Sequence, residues 1–162
     1  MVDPLNPQRE EMADESMVRN LAAQADAIWP QEQALFTRYG LPDEAYILDA
    51  GCGTGEISMR LAGMFGRARL LGVDVIDDHL ERARIRCAAF GDRTRFEHRS
   101  IFELELPDRT FDLVVCRHVL QSIPHADRVI AELAARHEAR RLAAPDRRRL
   151  FDDQFRAAPA RP

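Results

Sequence analysis

The stretch Ile47-Leu48-Asp49-Ala50-Gly51-Cys52-Gly53-Thr54-Gly55 constrains this chain more than any other. A short apolar run, Tyr46 to Ala50, leads into three glycines at alternate positions, and a helical pattern from Glu56 to Phe65 follows with Ile57, Leu61 and Met64 on one face. Glycines at such a turn allow tight backbone angles and let a ligand touch the main chain, while the next helix N-terminus offers free N–H groups. Two familiar uses of the arrangement are disfavoured. No Gly-Lys-Ser/Thr follows, which excludes a P-loop, and the dinucleotide pattern G-x-G-x-x-G would need glycine where Glu56 stands. Asp49 puts a carboxylate just before the turn, which suits a ligand carrying an amino group better than a phosphate.

The flanking sequence alternates in the same way. Arg69 to Val73 reads as a second strand, and Asp77 or Asp78 can cap a helix that runs to Phe90 and stops at Gly91. Thr94 to His98 is a short third strand, and Phe111 to Cys116 a fourth, with Leu113, Val114 and Val115 in succession as in a strand buried on both faces. Ala126 to Leu142 is helical. Ahead of the first strand, Met17 to Arg38 has helical apolar spacing, which Pro30 must interrupt or kink. Strands alternating with helices predict an α/β parallel sheet with right-handed crossovers.

Asp49-Ala50-Gly51-Cys52-Gly53-Thr54-Gly55 resembles the first motif of the class I S-adenosylmethionine-dependent methyltransferases. The resemblance implies an α/β, Rossmann-like doubly wound parallel sheet, here incomplete, with four strands in the order 3-2-1-4 and an N-terminal helical segment. It implies that Gly51, Cys52, Gly53 and Gly55 approach the methionine portion of S-adenosylmethionine and that Asp49 holds its ammonium. Asp74, 25 residues after Asp49 at the end of the second strand, is then the ribose anchor, because an ionised carboxylate accepts hydroxyl hydrogens. Val75 and Ile76 pack on the adenine. The acidic residue that usually meets the adenine amine aligns with Ser100, a weaker acceptor, with Ile101 beside it. Phe111 to His118 resembles the strand whose end borders the transferable methyl, which makes Cys116 a cofactor neighbour and Arg117 and His118 substrate-side candidates. His118 is the candidate base, although many members of the family have no dedicated base, because transfer from a sulfonium needs mainly alignment and desolvation. The expected activity is methyl transfer to an O, N or C atom of a small-molecule acceptor. A catalytically degenerate protein that binds the cofactor or a partner is the alternative, and a nicotinamide-dependent oxidoreductase is disfavoured by Glu56.

The resemblance covers roughly Met17 to Ala134, which divides the chain into an N-terminal helical cap over 1–40, a cofactor-binding core over 41–134 and an atypical tail over 135–162. Relatives continue with a Pro-Gly-Gly turn and three more strands. The tail instead holds eight arginines, seven alanines and three prolines in 28 residues, the composition of GC-rich DNA translated out of frame. It reads as a truncated or frameshifted product, or else as a short variant whose tail docks as helix. A fourth strand without its outer neighbour exposes unpaired N–H and C=O groups, so self-association through that edge is expected, with mobility after about Pro145.

Composition bounds the remaining classes. A net charge of -4 with 27 acidic and 23 basic residues, all of them arginine, argues against nucleic acid as a partner. No apolar run approaches the ~18 residues of a membrane helix, and the acidic, proline-bearing N-terminus is unlike a signal peptide, so a cytoplasmic protein without membrane contact is expected. Cys52, Cys87 and Cys116 are too widely spaced for a disulfide framework or a zinc site. His79, His98, His125 and His137 do not fall at metal-ligand spacing and are assigned to the surface or to packing, with no metal expected.

Overall fold

The computed structural model describes residues 4–12 and 14–137. The elements run α1 (Arg9–Met12), α2 (Glu15–Arg38), β1 (Tyr46–Ala50), α3 (Glu56–Met64), β2 (Arg69–Asp74), α4 (Asp77–Arg86), β3 (Thr94–His98), β4 (Leu113–Val115) and α5 (Ala126–Arg136), with a 3-10 segment at Ala88–Arg93. The four strands form one parallel sheet in the order β3-β2-β1-β4, the expected α/β arrangement with an N-terminal helical segment.

Successive side chains of a strand point to opposite faces, and β1 supplies both layers of the core. Ile47 joins Ile57, Leu61, Leu70, Leu80, Phe96 and Leu113 on the face covered by α2, α3 and α4. Leu48 and Ala50 join Leu71, Val73, Ile101, Phe111, Val129 and Leu133 on the face covered by α5. All five β1 residues are buried, as a central parallel strand requires. The β1–β4 pairing is pinned at its start by Asp112, whose N–H donates to the Tyr46 carbonyl (2.8 Å) while its carboxylate accepts the Tyr46 N–H (2.9 Å).

Three local expectations are corrected. Pro30 does not interrupt the helix and lies inside α2. The missing N–H leaves only one helical bond unmade, and packing of neighbouring Trp29 on the core, with Arg60 5.9 Å over its ring, holds the segment in place. The α4 N-cap is Ile76, with no side-chain cap, and Asp77 and Asp78 sit in the first turn, where negative charge complements the helix dipole. The helix expected to reach Phe90 ends at Arg86, and the chain tightens into the 3-10 segment, within which Gly91 takes φ 55° and ψ -136°.

The end of α5 returns to β4. The N–H groups of Arg109, Thr110 and Phe111 donate to the Ala135 and Arg136 carbonyls at 2.9–3.1 Å, and Phe111 forms a parallel bridge with His137. The first contact on the outer edge of β4 is therefore made, while Leu113–Val115 pair only with β1 among the described residues. The helix expected to run to Leu142 therefore ends at Arg136, where His137 turns extended (φ -79°, ψ 135°) to meet Phe111, and the expected mobile tail lies outside the described residues.

Candidate functional site

A cavity of about 350 Å³ opens beyond the C-terminal ends of β1, β2 and β4, with α2 and residues 5–12 across it. In an open α/β sheet this is where ligands bind. Its floor is the glycine turn. The N–H groups of Gly51 and Cys52 both donate to the Val73 carbonyl, at 2.8 and 3.0 Å, tying the turn to β2.

The three glycines have separate duties. A Cβ at Gly51 would lie 2.4 Å from Val119 Cγ2, so this glycine admits the loop after β4. At Gly55, with φ +80°, a Cβ would lie 2.9 Å from Ala83 Cβ and 3.0 Å from Ala83 Cα, so this one lets α3 pack on α4. Gly53, with φ +51°, meets nothing within 4 Å and faces the cavity.

Two carboxylates flank the turn. Asp49 is 2% exposed and its Oδ2 accepts the Ser58 hydroxyl at 2.6 Å. Burial raises its pKa to about 6 against the lowering effect of that hydrogen bond, and the negative charge of Asp74 adds to the rise. Asp74 accepts three backbone N–H groups: Gly53 on Oδ2 (2.8 Å), and Val75 (2.8 Å) and Ile76 (3.0 Å) on Oδ1. Sequence reasoning expects Asp74→Ala to leave the fold largely intact because the residue ends a strand. The three bonds argue for a larger effect. The substitution is expected to destabilise the protein by about 1.5–3 kcal/mol, the scale for lost bonds to a charged acceptor, which urea denaturation measures; an unchanged midpoint would show the turn to be held elsewhere.

The cavity wall brings together Asp49, Gly51, Cys52, Gly53, Asp74, Val75, Ser100, Ile101, Arg117 and His118 of the residues singled out in the sequence. Two are not brought there. Gly55 is buried between helices, and Cys116 packs with the β-sheet face that holds Tyr46 and Leu48, where burial pushes its thiol up to about 12. Ser100 is partly engaged, its hydroxyl accepting the Phe102 N–H at 3.3 Å.

Ser58, Glu32, His79 and His98 were not anticipated as site residues. Ser58 is fully buried and fixes the Asp49 carboxylate. Glu32, on α2, pairs with Arg117 Nε at 2.8 Å and joins the cap to the end of β4. His79, 3% exposed, lines the cavity with its Nε2 3.0 Å from the Met12 carbonyl, and half-exposed His98 lines it beside Asp77, 2.8 Å away. Only Ser58 had a usable signal, a small polar residue on the otherwise apolar inner side of α3.

Glu56, the residue that occupies the third dinucleotide position, is fastened by two guanidinium groups, Arg60 at 3.1 Å and Arg86 at 2.6 Å. A carboxylate held in the first turn of α3 competes with a pyrophosphate for the helix N-terminus.

Residues 47–145 match the model of a family described as a methyltransferase domain, a span that runs beyond the Ala134 limit read from the sequence. The trans-aconitate 2-methyltransferase of Variovorax paradoxus is 33% identical over 103 residues, 64% of this chain and 38% of that protein. The 27-O-demethylrifamycin SV methyltransferase of Amycolatopsis mediterranei is 34% identical over 90 residues, 54% of this chain and 33% of that one. The magnesium protoporphyrin IX methyltransferase of Synechocystis PCC 6803, solved with SAH bound, has a TM-score of 0.57 at 26% identity, over 72% of this chain and 51% of that chain. The chain spans well under half the length of these two curated relatives. Because the family model covers more than half of its residues and the sheet order agrees, the chain belongs to the methyltransferase domain family.

Proposed function

We propose that the cavity binds S-adenosylmethionine and that the protein transfers its methyl group to a small-molecule acceptor. The observation that carries this reading is Gly53: an open cradle with positive φ on the cavity floor, next to one buried and one hydrogen-bonded carboxylate. The residues fit the cofactor. Asp49 would hold the ammonium, whose positive charge offsets the desolvation that raises its pKa. Asp74 has one lone pair left on Oδ2 after its three backbone bonds, enough for one ribose hydroxyl. Val75, Ile76 and Ile101 offer an apolar slot for the adenine, and the Ser100 hydroxyl a polar edge.

Bound there, the cofactor would supply a methyl on a sulfonium. The chain's own residues would then orient the donor, exclude water by means of α2 and residues 5–12, and hold the acceptor against the end of β4. Relatives are named for acceptors as different as trans-aconitate and phosphatidylethanolamine, so family membership leaves the acceptor open. No helix among the described residues is long and apolar enough to cross a membrane. Three unpaired cysteines support a reducing, cytoplasmic setting.

Calorimetric titration with S-adenosylmethionine, S-adenosylhomocysteine and NADH tests the reading. Binding of the first two and not the third is expected, because Glu56 and its arginines occupy the helix start a dinucleotide would use. NADH binding in the absence of either sulfur ligand would overturn it. Asp74→Ala is expected to weaken both sulfur ligands by about tenfold or more, since it removes the ribose acceptor and loosens the turn. Formation of S-adenosylhomocysteine in a turnover assay separates the enzyme from the alternative of a cofactor-binding protein without activity, an alternative kept alive by the short span of the relatives covered.

A further inference from the structure

The cofactor reading uses one part of the cavity: the glycine turn, two carboxylates and the residues just after β2 and β3. The rest of the wall is built from other segments. Val18, Leu21 and Ala25 stand at helical spacing on one face of α2 and line the cavity, as do Phe102 from the loop after β3 and Val119 and Ile123 from the loop after β4. Leu21, Phe102, Val119 and Ile123 are only half-buried, so part of their apolar surface is left for a ligand to cover. Val119 locates this wall, because its Cγ2 would lie 2.4 Å from a Cβ at Gly51. The apolar wall thus abuts the turn assigned to the methionine portion of the cofactor, the portion that carries the methyl. The helix that supplies half of it is fastened to three other elements, by Glu15 to Arg82 on α4, by Asp26 to Arg60 on α3 and by Glu32 to Arg117 after β4.

The charges near this wall are spent within the protein. Arg117 gives Nε to Glu32 (2.8 Å) and Nη2 to His118 Nε2 (3.0 Å), whose lone pair must accept because a guanidinium has no acceptor, and its Nη1 is buried. Arg99 donates to Glu97 (2.7 Å) and to the Leu104 carbonyl (2.7 Å), and Glu56 is held by Arg60 and Arg86. A charged compound entering here would lose its water without a counter-charge to replace it, whereas an apolar one gains by covering Leu21, Val119 and Ile123. Resting on the S-adenosylmethionine reading above, we infer that the methyl acceptor is an uncharged compound with an apolar body, seated against Leu21, Val119 and Ile123. The Arg117–Glu32 pair then holds α2 to the end of β4 and takes no part in recognising the acceptor.

Methyl-labelled NMR of the full chain saturated with S-adenosylhomocysteine tests the assignment, with 2-naphthol, 2-naphthoate and trans-aconitate as probes at pH 7.5. The first two share one ring system and differ in charge, and the third is a tricarboxylate. 2-Naphthol is expected to move the Leu21, Val119 and Ile123 methyl signals along a saturable curve and to bind about tenfold or more tighter than 2-naphthoate, the charged probe paying for desolvation. Trans-aconitate is expected to leave those signals in place. Leu21→Arg, which sets a cation in the wall, should reverse the order of the two naphthyl probes. A 2-naphthoate affinity equal to or above that of 2-naphthol, a saturable response to trans-aconitate, no response to 2-naphthol, or an unchanged preference in folded Leu21→Arg would each overturn the proposal. The wild-type titrations decide the matter even where the variant does not fold. If S-adenosylhomocysteine itself does not bind, the cofactor reading fails, and titration of the free chain still reads the apolar wall; if it binds and 2-naphthol does not, the acceptor proposal fails alone.

Discussion

Asp49→Asn is expected to weaken S-adenosylmethionine binding by about 10- to 100-fold while making the protein more stable at neutral pH. The two effects share a cause. Asp49 is 2% exposed and its pKa is raised to about 6, chiefly by burial, against about 3.9 for the same group in an unfolded chain. Between those values the native state binds more protons than the unfolded one, so the contribution of this group to stability falls as pH rises from about 4 to 6 and stays reduced above it. The difference is on the order of 3 kcal/mol at pH 7. Asparagine has no charge to desolvate, keeps an oxygen for the Ser58 hydroxyl, and removes most of that penalty, although its amide N–H groups then need partners. The carboxylate is retained at this cost in stability because a cation completes it. Binding of an ammonium favours the ionised form, so wild-type affinity should climb up to tenfold per pH unit below about 6 and level off above it, whereas the variant should show a flat profile. Thermal denaturation at pH 5 and 7.5 with calorimetry across the same range checks both halves. Equal affinity of variant and parent at pH 7.5 would place the ammonium elsewhere.

Valine substitutions at two glycines of the same turn should fail for opposite reasons. At Gly55 the new side chain meets Ala83 Cα 3.0 Å from its own Cβ, a backbone atom that cannot swing aside, in a conformation with φ +80°. Separating α3 from α4 would disturb the packing of Ile57, Leu61, Leu80 and Ala83, and a loss of about 4 kcal/mol or more is expected, enough to leave little folded protein. At Gly53 there is no atom within 4 Å, so the loss is limited to the strain of a branched residue at φ +51°, about 1–3 kcal/mol. Gly53→Val should fold and fail to bind S-adenosylhomocysteine, because its side chain projects where the cofactor must touch the main chain. Gly53→Ala, with less strain, gives the same comparison with the fold better preserved. Circular dichroism melts and ligand titration of each variant read the two outcomes. Normal binding by Gly53→Val would show the turn to be purely structural, and a stable Gly55→Val would show the helix contact to be compliant.

The strands β1, β2 and β3 were legible because apolar runs and turn residues bound them in the sequence, and the structure places them within one residue of those limits; their order in the sheet was implied by the family resemblance. The ends of helices were less so. Pro30 is tolerated within α2 because the neighbouring turns pack on the core, and Asp77 is displaced from the cap by a strand that ends with its own Asp74 bonded to the Ile76 N–H. In the site, Asp49, Asp74 and Gly53 stood out because each lies within a few residues of a strand end, where local pattern carries the information. Glu32 and Ser58 did not, since their importance arises from contacts with Arg117 and Asp49 made only after folding.

The sequence by itself determined the parallel α/β sheet, because alternating apolar runs and helical segments admit few other solutions, while its strand order and the family were implied by the resemblance of the Asp49–Gly55 motif. Tertiary structure alone decided how three similar glycines divide between packing and an open cradle, that Asp74 holds the turn as well as facing the cavity, and that Arg117 takes the lone pair of His118. These depend on which atoms from distant segments come within hydrogen-bond or van der Waals range. Residue type and spacing along the chain do not encode that distance.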